Sequence, residues 1–159
     1  MTTSTRIYSI YIDAPAQKIW DAITSSEYTT QYGYAGPVEY ELSPGGRYTA
    51  FASEEMKKMD LPDIVISGEV LEVDPPKKLV QKWDPAWLQE PPITLTWEIT
   101  EFPDGPSRLT LTQDSTDAPE TERQTAGGAD PGTGGGGWPW VLASMKTLIE
   151  TGKPMTGVL

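Results

Sequence analysis

The chain has 159 residues, 37% of them apolar, with six Trp, seven Tyr and two Phe, enough for a single domain over residues 1–159 anchored by large aromatics. It contains no Cys, His or Asn, which excludes disulfides, thiolate and imidazole catalysis, the usual structural zinc sites and N-glycosylation. Twelve Lys and Arg against 23 Asp and Glu give a formal charge of −11, a field that repels nucleic acid and anionic bilayers.

The segment 6–13 alternates as a strand with Tyr8, Ile10 and Ile12 on one face. Asp13-Ala14-Pro15 then opens a helix, with Asp13 as its expected cap and Pro15 in its first turn. Ala16, Ile19, Trp20 and Ile23 form its buried stripe. A second short helix or ordered loop follows over 25–34. Residues 37–53 read as a hairpin turning at Pro44-Gly45-Gly46, with Val38, Tyr40 and Leu42 on one side. The charged stretch 54–63 reads as an exposed loop. Strands are expected at 64–74 and 77–84, divided by Pro75-Pro76.

In the segment 93–100, Ile93, Leu95, Trp97 and Ile99 face one way and Thr94, Thr96, Glu98 and Thr100 the other. That is the pattern of a half-buried antiparallel strand. Asp104-Gly105 turns the chain into another strand near 107–115. Residues 116–137 are polar, with seven of the fifteen glycines between Gly127 and Gly137, and read as a mobile loop. The last helix carries Trp138, Leu142, Met145 and Ile149 on one stripe and ends at Gly152 and Pro154. The fold class is α+β, an antiparallel sheet of six to seven strands whose apolar face the last helix must cover.

Few motifs carry chemistry. Gly132 to Gly137 satisfies a dinucleotide-type glycine pattern, but no strand leads into it and glycine runs match such patterns trivially. The pairs Glu54/Glu55 and Glu120/Glu122 lie in polar segments where nothing separates their pKa values. Glu98 faces outward if Trp97 faces inward, which leaves Glu69 as the strand carboxylate to consider for acid–base work. No spacing supports a metal site, and no cofactor is expected. Trp20, Trp83, Trp97 and Trp138 lie on faces that converge, and indoles carry a polar handle that suits a partly open lining.

The segments "IDAPAQKIWDAIT" (12–24), "PGGRY" (44–48), "GEVLEVDPPKKLVQKW" (68–83), "TLTWEIT" (94–100), "LTLT" (109–112) and "GWPWVLASMKTLIETG" (137–152) occur in an order that resembles the SRPBCC (START-like, helix-grip) superfamily. The branch it resembles is the one named for the activator of the heat-shock protein 90 ATPase, and the likeness spans about residues 6–152. It implies a curved sheet gripping the C-terminal helix, with an apolar tunnel between them. By position Trp20, Tyr48, Trp83, Trp97, Trp138, Leu142 and Met145 would line or gate that tunnel. The function implied is binding of a small hydrophobic or amphipathic molecule.

A cyclase or dehydratase independent of His and Cys is the alternative, with Glu69, Tyr48 and Arg47 as candidate catalytic residues. Further alternatives are a co-chaperone partnered with an ATPase chaperone, or a self-sacrificing resistance protein. A cytoplasmic location without membrane insertion is expected. So is a monomer or weak homodimer, with the strand near 37–42 as an edge for pairing.

Overall fold

A computed structural model describes residues 4–33, 36–131 and 135–155. Its elements are β1 (Thr5–Ile12), α1 (Ala16–Thr24), α2 (Ser26–Tyr32), β2 (Val38–Tyr40), β3 (Arg47–Phe51) and α3 (Glu54–Lys57). They continue with β4 (Ile64–Asp74), β5 (Lys78–Pro85), β6 (Ile93–Glu101), β7 (Ser107–Asp114), α4 (Pro119–Thr125) and α5 (Gly137–Thr151). The seven strands form one antiparallel sheet in the order β1-β7-β6-β5-β4-β3-β2. From β2 to β7 the chain is a meander of neighbours. Only the passage from β1 to β2 must span the whole sheet, and α1 and α2 make it.

Alternation places the core. Along β5 to β7, buried and less buried residues alternate, so Leu79, Trp83, Leu95, Trp97, Leu109 and Leu111 share the inner face. On β1 the inner face is Tyr8, Ile10 and Ile12, as the period predicts. Register irregularities at Ala50/Phe51 and Val70/Glu72 bend the β3–β4–β5 side, the ordinary effect of a bulge on a sheet. Into this curved face α5 lays Trp138, Val141, Leu142, Met145, Leu148 and Ile149, all buried. Helix α1 adds Ile19, Trp20 and Ile23. Among the described residues no helix is long and apolar enough to cross a membrane.

The start of α1 differs from expectation. Pro15 occupies the cap position, and no side chain of the cap itself bonds the free N–H groups. The Glu101 carboxylate does so instead, accepting from the Ala16 N–H at 2.8 Å. Glu150 on α5 accepts from the Asp13 N–H at 2.7 Å and from Lys146 Nζ at 2.6 Å. The Asp13 and Lys146 bonds together hold the Glu150 carboxyl below its ordinary pKa. With Ser107 Oγ donating to Ala14 O at 2.7 Å, the β1–α1 corner is tied to β6, β7 and α5 at once.

Two segments expected to be loops contain helices. Residues 54–57 form α3, capped by Ser53 Oγ, which accepts from the Met56 N–H at 3.2 Å. The stretch taken as a mobile loop over 116–137 contains α4, although its Gly132, Thr133 and Gly134 lie outside the described residues. Helix α4 has no apolar stripe. It is held by Glu90, thirty residues away, whose carboxylate accepts from the N–H groups of Glu120 (3.0 Å) and Thr121 (2.7 Å) and from Thr121 Oγ1 (2.8 Å). Burial pushes the Glu90 pKa up, but these bonds outweigh it and the net shift is downward. The strand β2 ends at Tyr40, leaving Leu42 exposed outside it.

Part of the glycine content is a packing requirement. Gly137 has φ +63°, and a Cβ there would stand 2.3 Å from Thr125 O and 2.4 Å from the Gly127 nitrogen. The end of α4 therefore meets the start of α5 backbone to backbone, which only glycine permits. Gly137→Ala is expected to lower the free energy of unfolding by at least about 2 kcal/mol. Gly105→Ala, where no neighbour comes within 4 Å of the new methyl, should stay within about 0.5 kcal/mol. Urea denaturation of the two variants checks both values.

Candidate ligand-binding cavity

Between α5 and the β2–β6 part of the sheet lies a cavity. Its wall takes Tyr40 from β2, Tyr48 from β3, Gln81 and Trp83 from β5, and Trp97 from β6. Trp138 and Val141 of α5 form the roof, and Ile23, Thr29 and Tyr32 close the side under α1 and α2. The void measures about 460 Å³ counted out through its mouth into solvent, but water-sized centres have only about 50 Å³ of room. A cavity needs about 10–15 Å³ to hold one water, so there is room for water but for little more.

The aromatics are arranged by contact. Trp138 stands 5.5 Å from Trp83 at 55° and 5.8 Å from Trp97 edge-on, and Trp87 meets Trp83 edge-on at 6.4 Å. Such tilted and edge-to-face pairs contribute about 0.5–1.5 kcal/mol each beyond area burial. Tyr40 and Tyr48 pack at 4.7 Å.

Buried indole and phenol groups need partners, and two inward-facing glutamines supply acceptors. Gln81 Oε1 accepts from Trp97 Nε1 at 3.1 Å and from the Tyr40 hydroxyl at 2.8 Å. Gln113 Oε1 accepts from Trp138 Nε1 at 2.6 Å, and its amide nitrogen donates to Thr125 Oγ1 at 3.1 Å. Through Gln113, the head of α5 is fixed to β7 and to α4. Trp83 hydrogen-bonds the Tyr48 hydroxyl, and the Tyr32 hydroxyl donates to Ala22 O.

No carboxylate, Lys or Arg lines the cavity among the described residues. Its ionisable groups are Tyr32, Tyr40 and Tyr48, and burial pushes all three pKa values well up. Their phenols stay neutral wherever the fold persists.

Of the residues nominated from sequence, the structure brings Tyr48, Trp83, Trp97 and Trp138 together on the wall. Trp20, Leu142 and Met145 are buried in the core but do not line the cavity. Arg47 and Glu69 are exposed and stand opposite each other in the β3–β4 register, away from it. Of the three candidate catalytic residues only Tyr48 therefore reaches the cavity, because Val70 takes the inward position and its neighbour Glu69 must point out. Sequence reasoning missed Gln81, Gln113, Tyr32 and Tyr40. A signal was present for the glutamines: each occupies an inward parity position, Gln81 between Leu79 and Trp83, Gln113 after Leu109 and Leu111.

An antiparallel sheet curved around a C-terminal helix, with an aromatic cavity at their interface, is the helix-grip architecture. The chain belongs to the family described as activator of Hsp90 ATPase homolog 1-like protein, whose model matches residues 13–150. Solved structures similar to it include protein MLL2253 from Mesorhizobium loti, with 21% identity and TM-score 0.66 over 92% of this chain and 97% of that one. CalU16 from Micromonospora echinospora is similar at 20% identity and TM-score 0.65, over 96% of this chain and 77% of that one. DynU16, a protein of the dynemicin biosynthetic locus, is similar at 19% identity and TM-score 0.63, over 94% of this chain and 48% of that one. At these identities the likeness is one of fold. No curated protein matches the chain by sequence.

Two measurements test the interior. Gln113→Leu removes the acceptor of Trp138 and the donor to Thr125, and is expected to cost about 1–3 kcal/mol in chemical denaturation. Alkaline titration followed by tyrosinate absorbance should show Tyr32, Tyr40 and Tyr48 ionising only with unfolding. Because the fold raises their pKa values above the ordinary value near 10, the stabilisation is complete below pH 10. It is lost as the pH rises beyond that, so the transition should be cooperative.

Proposed function

We propose that this protein binds a small uncharged apolar or amphipathic molecule in the cavity between α5 and the sheet. The observation that carries the reading is a void within the core bordered by Tyr40, Tyr48, Trp83, Trp97 and Trp138. Interiors keep few voids, and one of about 50 Å³ costs on the order of 1 kcal/mol at ~24 cal/mol per Å³. A core selected only for stability would repack to close it. Here the wall is made of residues with flat faces and polar tips, the composition of a ligand pocket.

The occupant extends towards the mouth, because the enclosed room is smaller than a ring. Burying ~300 Å² of apolar ligand surface gives a gross gain of ~7 kcal/mol, which association costs of about 4 kcal/mol or more reduce to roughly millimolar affinity unless polar partners add to it. The occurrence of the same fold in a protein of a biosynthetic locus supports a small organic molecule as the class of ligand.

The test is a panel of neutral mono- and bicyclic compounds read by tryptophan fluorescence and melting temperature. A true ligand at a hundredfold excess over its Kd stabilises by about 2.7 kcal/mol, which for a chain of this size raises Tm by about 5–10 °C. It should also quench the Trp83–Trp97–Trp138 group. If no member of the panel changes either signal, the binding reading fails.

A further inference from the structure

Gln81 is 1% exposed and forms part of the cavity wall. An amide side chain can be placed either way round, but here its orientation is fixed by chemistry. The indole of Trp97 only donates, so the atom it meets at 3.1 Å must be the amide oxygen. That oxygen also receives the Tyr40 hydroxyl at 2.8 Å, and both of its lone pairs are used. The amide nitrogen is buried, and its two N–H groups have no partner among the described residues. A buried donor without an acceptor is costly, so this one is held in place by its two neighbours at the expense of its own satisfaction.

We propose that the Gln81 amide is the recognition group of the cavity, and that it selects an uncharged ligand presenting a carbonyl oxygen on an apolar ring. This rests on the binding reading above and names its specificity. The donor demands an acceptor. The absence of any carboxylate, Lys or Arg from the described lining rejects ions, which would lose hydration without a counter-charge. The amide nitrogen is covered in the unliganded protein, so the side chains beside it part to admit the carbonyl oxygen, while the ring lies among the aromatics towards the mouth. Gln81 acts by binding, and no covalent step is involved.

The experiment compares acetophenone with α-methylstyrene, which has the same shape without the acceptor, and with benzoate, which adds a charge. Binding to the wild-type protein is measured by calorimetry, and the carbonyl stretch of bound acetophenone by infrared difference spectroscopy. The wild type is expected to favour the ketone over the alkene by roughly five- to tenfold relative to their water-to-hexane partition ratio. The carbonyl stretch should move to lower wavenumber than in hexane, and benzoate should bind at least tenfold more weakly. In Gln81→Met the ketone preference and the infrared shift should both disappear. If that variant does not fold, the wild-type ratio and shift decide alone.

Equal relative binding of ketone and alkene, an unshifted carbonyl, or benzoate at comparable affinity would overturn the assignment of Gln81 and leave the binding reading standing. Failure of both neutral compounds, together with the wider neutral panel, would overturn the binding reading and this inference with it.

Discussion

A tryptophan N–H shut away from water must meet an acceptor, and most of the interior is organised around that demand. Trp97 and Trp138 reach inward from β6 and α5, and each finds a glutamine on the neighbouring strand face: Gln81 and Gln113. The Gln113 bond fixes the direction in which the head of α5 meets the sheet. It couples the head of that helix to β7, and through Thr125 to α4. Once the head is seated, Trp138 meets Trp83 and Trp97 and becomes the roof over the cavity. A leucine at the same place would bury as well but would not fix direction, because apolar contact carries no preferred angle.

The second constraint is connectivity. The chain leaves one edge of the sheet at β1 and must re-enter at the other edge with β2. The corner after β1 is therefore held by charge-assisted bonds from two carboxylates that are remote in sequence, Glu101 and Glu150. A third, Glu90, does the same for α4. An acidic chain without histidine uses carboxylates as its structural acceptors. Repulsion within a net charge of −11 is partly offset because some of these groups are spent on backbone N–H donors.

Much of this architecture was readable in the residues. Alternation in 93–100 set the inner face correctly because both neighbours of that strand demand the same parity. The stripe on α5 and the stop at Gly152, which adopts φ +79°, were equally plain. What escaped depends on distant partners. The segment "PETERQT" has no apolar period, and it is helical because Glu90 supplies the cap and Thr121 and Thr125 are buried. In β4, apolar residues occur on both parities, so the sequence could not say whether Glu69 faced in or out. Trp20, Leu142 and Met145 lie in the core beside the cavity, since a helix stripe is wider than the part of it that meets the void.

The shifts of its ionisable groups give the molecule a plateau. With neither His nor Cys, no side-chain type present has an ordinary pKa between about 4.3 and 10. The fold widens that gap: bonds to Asp13 and Lys146 pull Glu150 down, bonds from Ser4 and Arg6 pull Glu122 down, and burial drives the interior tyrosines up. Asp84, lifted by burial, moves the other way. Across the near-neutral acidities a cell experiences, such a composition makes the protein a poor proton buffer, and its surface field and the hydrogen bonds of its interior stay nearly constant there.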